Sequence, residues 1–316
     1  MTRRARTRKS IETKRAEDIL APNDFLTSLF STTTNNPARG MRHCRHRRGA
    51  AICALIALAL CAVAAGQGEP GPASGAKAQP AAIVAEDAAV LGRGRIRAQQ
   101  KALASLGAQP GAEADEVLLA QFDRYRAGKL PPALWLDLFE AAAKRTNARL
   151  KERLAERERE AENSRDSLRS YRECLEGGDA EAGREIFMKK PQAGCVRCHT
   201  VNGAGGHIGP DLTTLHQTTE RIFILESIIE PNAVIAPGFE NVLLTLKDGK
   251  TVSGILSFEG EEEVTITSTV DGRKRKIPTA KIKERTPLPS AMPPGFGPAL
   301  GKRAIRDLVQ FLATIE

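Results

Sequence analysis

The pentapeptide CVRCH at residues 195–199 constrains this chain more than any other stretch. Two cysteines separated by two residues and followed directly by histidine form the attachment signature of haem c. In that chemistry the thiols of Cys195 and Cys198 form thioether bonds to the porphyrin, and the imidazole of His199 becomes an axial ligand of the iron. The spacing is a chemical requirement, because both thiols must reach one edge of the ring while the imidazole points at its centre.

Two other interpretations of the cysteine pair fit the sequence less well. A zinc site needs four ligands, and only His207 and His216 follow to complete it, at a spacing unlike that of a zinc finger. A thioredoxin-type dithiol should follow a strand and open a helix, whereas residues 189–194 (KKPQAG) have no strand pattern.

The positive charge of the chain is concentrated at its N-terminus. Residues 1–48 hold 12 of the 47 Lys and Arg residues but only 4 of the 38 Asp and Glu residues, which gives +8 of the formal net charge of +9. The remainder is nearly neutral, so nucleic-acid binding is not expected. The length of 316 residues leaves room for two or three domains.

Residues 41–66 have the organisation of a secretory signal peptide. A basic stretch at 41–48 precedes a short apolar run at 49–63, and Ala62-Val63-Ala64 has the small-residue pattern of a cleavage site. The run is shorter than the ~20 residues that cross a bilayer, and an uncleaved membrane anchor is the alternative. The expected location is periplasmic or exported, in a bacterium, with membrane association if the segment is retained.

The segments on either side of the signal lack the pattern of a folded core. Residues 1–40 are basic and then rich in Ser, Thr and Asn, so Met41 is the expected true start and 1–40 a non-native or disordered extension. Residues 67–81 (QGEPGPASGAKAQPA) are expected to form a flexible linker.

Residues 82–176 have apolar residues at helical spacing and predict a helical segment. From 149 to 172 the pattern becomes strongly charged and predicts one continuing helix. Two interpretations of it stay open: a docking or coiled-coil arm, and a solvated helix held by charge pairs one turn apart. Trp135 is expected in the core, and Cys174 is expected to be a partly buried thiol, with a redox role or an intermolecular disulfide as the less favoured alternative.

The region 177–316 predicts the helical domain that carries the haem motif. Asp179 is a candidate N-cap for a helix over 180–188, and Gly183 inside that helix is explained if another helix crosses closely. The expected partner is the amphipathic stretch at 302–315.

Residues 238–287 interrupt this domain with a stretch in which apolar and polar residues alternate. After a predicted helix at 221–229 come four or five short alternating strands, separated by turn signals such as Asp248-Gly249. They predict an inserted small antiparallel barrel, SH3-like or Sm-like, within a mainly α fold. Its role is open between a cover or docking surface and a rigid spacer. The basic run 273–276 is either a solvated strand face or a surface that steers an acidic redox partner.

Several separate motifs together resemble one family, the class I c-type cytochromes. They are residues 178–187 (GDAEAGREIF), the CVRCH motif, residues 209–212 (GPDL), residues 292–295 (MPPG) and the terminal helix. More narrowly, this order resembles the C-terminal haem-binding domain of large exported bacterial dehydrogenase-like proteins, which carry such an insertion. The resemblance covers about residues 178–316.

The resemblance implies a role for each matching residue. Cys195 and Cys198 would carry the thioethers of one covalently bound haem c, and His199 would be the proximal iron ligand. The carbonyl of Pro210 would accept the ring N–H of that histidine, and the thioether of Met292 would be the distal ligand. The helix crossing would be formed by Gly183, Phe187 and Phe311.

The distal ligand has competitors within the chain. Met292 lies in a Pro-rich loop, which is stiff and holds a thioether without helix geometry, and thioether with imidazole raises the haem potential. Met188 lies only seven residues before Cys195 and is badly placed to reach the opposite haem face. His207 and His216 remain as rivals.

The function predicted from the sequence is that of an exported monohaem c-type cytochrome that transfers single electrons and is not an enzyme. Its expected partner is a redox protein, either a dehydrogenase for which it is the electron acceptor or another cytochrome. One alternative is a haem-based sensor or peroxidase-like protein with a labile distal ligand. Another is a scaffold or binding module in which the haem is structural.

Overall fold

The computed structural model of the chain describes residues 79–315. The predicted extension at 1–40, the signal peptide at 41–66 and residues 67–78 of the predicted linker lie outside these residues. The last two linker residues, Pro80 and Ala81, already belong to the first helix, so the linker prediction is wrong there. About half of the described residues are helical. Within 79–315 we find no helix that combines the length and the apolar character needed to cross a membrane.

The elements follow one another in a helical part, a mixed part and a terminal helical part. The helices are α1 (Pro80–Arg93), α2 (Ile96–Ala108), α3 (Ala112–Arg126), α4 (Trp135–Ala143), α5 (Ala148–Glu162), α6 (Ala180–Lys189), α7 (Cys195–Cys198), α8 (Leu215–Thr218), α9 (Arg221–Ile229), α10 (Phe296–Leu300) and α11 (Lys302–Leu312). The strands are β1 (Thr200–Val201), β2 (Ala204–Gly205), β3 (Asn241–Leu246), β4 (Thr251–Glu259), β5 (Glu263–Thr267), β6 (Lys274–Pro278) and β7 (Ile282–Pro287).

Helices α1 to α5 pack around an apolar core of their own. Leu103, Leu118 and Leu138, from α2, α3 and α4, are fully buried in it. Trp135 packs against this core and donates its indole N–H to the carbonyl of Leu130 over 3.1 Å. The prediction that Trp135 is a core residue is therefore confirmed.

The charged stretch after residue 148 does not form one continuing helix, and the prediction of a helix to 172 is wrong. Helix α5 ends at Glu162, and the chain resumes as a 3-10 helix over Arg169–Cys174. Ser164 lies in the break, and its hydroxyl accepts the backbone N–H of Asp166 over 3.1 Å. Such a local hydrogen bond competes with the helical one, which gives a physical reason for the break.

Helix α5 is packed against the bundle and does not project as an arm. Its own residue Leu150 is fully buried. Most of its charge pairs join it to α3: Arg149 lies 3.0 Å from Glu116, and Glu156 lies 3.1 Å from Arg126. Of the two interpretations left open by the sequence, the charge pairs are present, but most of them join neighbouring helices; Arg153 and Glu156, at 3.7 Å, pair along α5 itself.

Helices α6 and α11 cross at close range, as predicted from the glycine. Asp179 caps α6, since its carboxylate accepts two backbone N–H groups of the first turn. A methyl group at Gly183 would overlap the carbonyl oxygen of Asp307 and lie 2.7 Å from the Cβ of Phe311. The rings of Phe187 and Phe311 pack with centroids 5.7 Å apart. Helix α11 ends at Leu312, three residues earlier than expected.

A buried polar junction joins the α1–α5 bundle to α11. Asp137 of α4 and Arg306 of α11 form an ion pair at 2.7 Å, and each side chain is only 3% exposed. Nearby, the amide of Gln100 donates to the carbonyls of Ala133 and Gly177 over 3.0 and 2.8 Å. The two parts of the chain are therefore held together by hydrogen-bonded groups that no sequence pattern indicates.

The inserted strands form one five-stranded antiparallel sheet in the order β6-β5-β4-β3-β7. Its buried apolar core is formed by Val242, Leu244, Leu256, Val264, Ile266 and Ile277. The predicted turn at Asp248-Gly249 joins β3 to β4, with Gly249 at φ 85°. The expected barrel is not closed among the described residues, because β6 and β7 lie at opposite edges without pairing. Alternation specifies which neighbours pair, but closure depends on strand tilt and stagger.

Candidate haem-binding site

The two cysteines of the CVRCH motif lie on one helical turn. Helix α7 runs from Cys195 to Cys198 and follows Gly194, which adopts the left-handed conformation at φ 60°. His199 leaves the turn in an extended conformation, and its backbone N–H donates to the carbonyl of Cys195 over 2.9 Å. Both thiols are free and half-buried. The motif therefore presents two thiols and one imidazole from a single short segment.

The His199 ring is oriented by a backbone carbonyl. Its Nδ1 lies 3.0 Å from the carbonyl oxygen of Pro210. A carbonyl oxygen only accepts, so Nδ1 carries the proton and Nε2 keeps a free lone pair. Burial lowers the pKa of His199, although the hydrogen bond to Pro210 acts in the opposite direction. A neutral imidazole with an open Nε2 is the form that binds a metal.

A glycine-rich loop encloses the motif from the other side. The backbone N–H of Gly206 donates to the carbonyl of Val196 over 2.9 Å, and that of Gly209 donates to Cys198 over 2.8 Å. A methyl group at Gly209 would lie 2.6 Å from Cε1 of His199. Only glycine allows the backbone to lie this close to the ring. The sequence signal was the run of glycines at 203–209, to which sequence reasoning assigned no role.

The thiols do not have the character of a redox dithiol. Burial raises the pKa of Cys195 to about 11 and also raises that of Cys198. Reactive dithiols have lowered pKa values. The chain reaches α7 from helix α6 through a turn, without a preceding strand.

The residues of the motif do not converge with further ligands. Within 79–315 no three His, Cys, Asp or Glu side chains are grouped so that they would hold a metal ion. His207 is exposed, with its Nδ1 3.2 Å from the hydroxyl of Thr200, and His216 is exposed on α8. Neither histidine is therefore placed as part of a zinc cluster.

Met292 lies in the loop between β7 and α10 and is half-buried. Its backbone N–H donates to the hydroxyl of Ser290 over 3.2 Å, and Ser290 N–H donates to the side chain of Asn232 over 2.8 Å. These bonds fasten the Met292 loop to the chain segment that follows α9. The role of Met292 as a haem ligand stays a prediction.

Cys174 differs from its prediction. It is fully buried, not partly, and it belongs to the core around α6, α9 and α11. Its thiol lies 3.4 Å from the carbonyl of Lys302. Burial raises the pKa of Cys174 to about 12. A buried, protonated thiol is a packing group, so the alternatives of a redox role and an intermolecular disulfide receive no support from its position.

The donor set fits haem c. Two free thiols three residues apart on one turn, and a neutral imidazole with its Nδ1 occupied, are the groups that covalent haem attachment requires. The glycine loop packs closely around His199. Cys195 and Cys198 would carry the thioethers of such a group, and His199 would be its axial ligand.

Comparison with known proteins agrees with this assignment over part of the chain. No protein with a curated description is similar enough to match. The family model of cytochrome c matches residues 180–252, from α6 to the start of β4. Met292 and helix α11 lie beyond the match. The segment 180–252 thus supports a c-type cytochrome domain, whose cofactor is covalently bound haem c.

Proposed function

We propose that the chain is a monohaem c-type cytochrome that carries single electrons and is not itself an enzyme. The cytochrome c match supports a haem-based electron carrier in general. The observation that carries the narrower proposal is the hydrogen bond from His199 Nδ1 to Pro210, because it leaves the lone pair of Nε2 for a metal on the residue that directly follows the two thiols. In this proposal Cys195 and Cys198 carry the thioethers and His199 is the proximal iron ligand.

The residues of the chain would hold the cofactor and complete its coordination. Bound haem c supplies an iron that exchanges one electron between its ferrous and ferric states. Pro210 keeps the His199 ring oriented and more basic, and Gly209 lets the loop lie against that ring. Met292 would supply the distal thioether, which would raise the potential. With His199 and Met292 both bound, the iron would have no free position for a substrate, so a carrier is favoured over a sensor or a peroxidase.

The assignment to class I, and to the dehydrogenase-associated group, rests on residues outside the family match. These are residues 292–295 and helix α11, which crosses α6 at Gly183. We propose that the electron donor is an exported dehydrogenase or another cytochrome. The signal-like segment at 41–66 supports a periplasmic location.

The deciding experiment compares two methionine variants made with a cytochrome c maturation system. Haem staining of a denaturing gel tests covalent attachment, and the methionine-to-ferric-iron charge-transfer band tests ligation. Met292→Ala should abolish the band, lower the reduction potential and let the ferrous protein bind carbon monoxide. Met188→Ala, which removes the other described methionine, should keep the band and the potential close to wild type.

Three results would overturn parts of the proposal. Wild-type protein without covalent haem would remove the assignment of Cys195 and Cys198. Haem with no charge-transfer band, and with carbon monoxide binding in the wild type, would favour a sensor or peroxidase-like site. Loss of the band in Met188→Ala alone would move the distal role away from Met292.

A further inference from the structure

The inserted sheet lies beside the loop that encloses the haem motif. A methyl group added at Gly272, in the turn between β5 and β6, would lie at an ordinary van der Waals distance, 3.8 Å, from Cγ1 of Ile208. Ile208 lies between Gly206 and Gly209, whose N–H groups donate to the CVRCH segment. The β5–β6 turn therefore lies beside the loop that packs on His199.

The same end of β6 carries unpaired positive charge. Lys274 and Arg275 are exposed, and neither side chain has an ion-pair partner among residues 79–315. Arg273 is 88% exposed and pairs with Asp271 at 3.4 Å, which partly offsets its charge. Val270 at the tip of the turn is 92% exposed and adds an apolar surface. We call Val270 and residues 273–275 the basic corner.

The opposite end of the same strands is acidic. The β4–β5 turn contains Glu261 and Glu262, which are exposed, and Lys276 is neutralised by Glu263 at 2.6 Å. Five-residue strands at about 3.3 Å per residue separate the two ends by roughly 15 Å. The sheet thus carries a charge gradient whose positive end lies nearest the haem motif.

Protection of the sheet edge does not by itself explain this gradient. Edge strands often carry Lys to prevent pairing with another chain. The other edge strand, β7, carries both signs, and its Arg285 is neutralised by Glu259 at 2.8 Å. Strand β6 holds three basic residues and no acidic one, whereas β7 holds two basic residues and Glu284. The more strongly positive edge is thus the one whose turn lies beside Ile208.

We propose that the basic corner is the docking surface for an acidic electron-transfer protein. The proposal rests on the haem carrier function and names its partner class. An acidic partner is attracted by the positive end and repelled by the acidic β4–β5 turn, so it arrives beside the haem motif. Val270 then contacts the partner directly, while the charges set the rate and orientation of encounter.

The test measures electron transfer from the ferrous haem-loaded chain to an oxidised acidic plastocyanin by stopped flow. In each event one electron leaves the ferrous haem and reduces the cupric ion of the plastocyanin. The variant is Lys274→Glu/Arg275→Glu. The matched control is Lys129→Glu/Lys151→Glu, which makes the same charge change at exposed residues of the helical bundle. Oxidation by ferricyanide serves as the measure of haem competence.

The wild-type rate should fall as salt is added, and the Lys274/Arg275 variant should be roughly tenfold slower at low ionic strength with little salt dependence. The control should stay within about twofold of wild type. Equal slowing of variant and control, or a wild-type rate independent of salt, would overturn the docking proposal while leaving the carrier function intact. A wild type without covalent haem, or without oxidation by ferricyanide, would overturn both.

Discussion

Gly183 lies where helices α6 and α11 cross at close range. A methyl group there would overlap the carbonyl of Asp307 and press on Phe311. Gly183→Ala should lower the free energy of unfolding of the haem-loaded chain by about 1–3 kcal/mol, the usual penalty of overpacking. Urea unfolding measures it. Gly92→Ala is the control, since nothing lies within 4 Å of that position, and it should be neutral or stabilising. Equal effects of the two variants would contradict the close crossing.

Asp307 makes stability depend on pH. Burial raises the pKa of this carboxyl above its ordinary value of 3.8, although the Asp179 N–H and Arg306 act to lower it. Because the folded pKa is the higher one, the stabilising contribution is full below pH 3.8 and is lost as pH rises through the folded value. Asp307→Asn should therefore raise the urea midpoint at pH 7, with a smaller gain at pH 4. A lower midpoint at pH 7 would contradict this.

Cys174 should be chemically silent in the folded protein. Its pKa of about 12, raised mainly by burial, leaves almost no thiolate at neutral pH. Iodoacetamide should label Cys174 only after urea unfolding, as read by peptide mass spectrometry of the haem-loaded chain. Rapid labelling of the native protein would show that the thiol is exposed.

The buried ion pair between α4 and α11 allows a test of how the helical bundle packs against α11. Asp137 and Arg306 are both buried, and Arg303 also contacts Asp137 at 3.1 Å. Asp137→Ala would leave a buried guanidinium without its partner, so we expect a loss of about 3–5 kcal/mol in the free energy of unfolding.

An exposed ion pair provides the control for that loss. Glu116 pairs with Arg149 on the surface of the bundle, and both side chains are more than 60% exposed. Glu116→Ala should cost less than about 1 kcal/mol. A comparable loss in the two variants, measured by urea unfolding, would show that the Asp137 pair is not buried in solution.

The sequence predicted those elements whose signals are local. Helix α9 has the predicted bounds, and the crossing at Gly183 followed from one costly glycine. The end of α5 was missed because charged residues continue the helical pattern past Ser164, where a side chain takes over a backbone hydrogen bond. The junction between Asp137 and Arg306 joins residues 169 positions apart. A single sequence carries no periodic signal for such a pair.

The residues of the candidate site likewise fall into two groups: those that a local sequence pattern predicts and those whose position depends on tertiary structure. The CVRCH spacing is a local chemical pattern and predicts the thiols and His199 directly. Pro210 was reached only through the resemblance to a family, and the structure places its carbonyl 3.0 Å from the ring. The packing of Gly209 on the ring depends on how the loop folds back, which composition alone does not specify. The proximity of Gly272 to Ile208 depends on tertiary structure in the same way.

At the scale of the whole molecule, the helical bundle and the haem domain should unfold together. Their apolar cores are separate, but buried polar groups join them. Glu173 lies between Arg157 of the bundle and Lys302 of α11, at 2.5 and 2.8 Å. Unfolding one part would leave such groups unpaired in the other, at about 1–3 kcal/mol for each polar group. That is a large fraction of a typical domain stability of about 5–15 kcal/mol.

Two intrinsic probes test this cooperativity. Trp135 is the only tryptophan of the chain and reports on the bundle, while the haem absorption band reports on the other part. In the wild type, urea should give coincident transitions for both probes. In Asp137→Ala the two curves should separate, because a buried link between the two parts is lost, whereas Glu116→Ala should keep them together. Two resolved transitions in the wild type would instead mean that the bundle folds independently, and the junction would then be a contact between two autonomous domains.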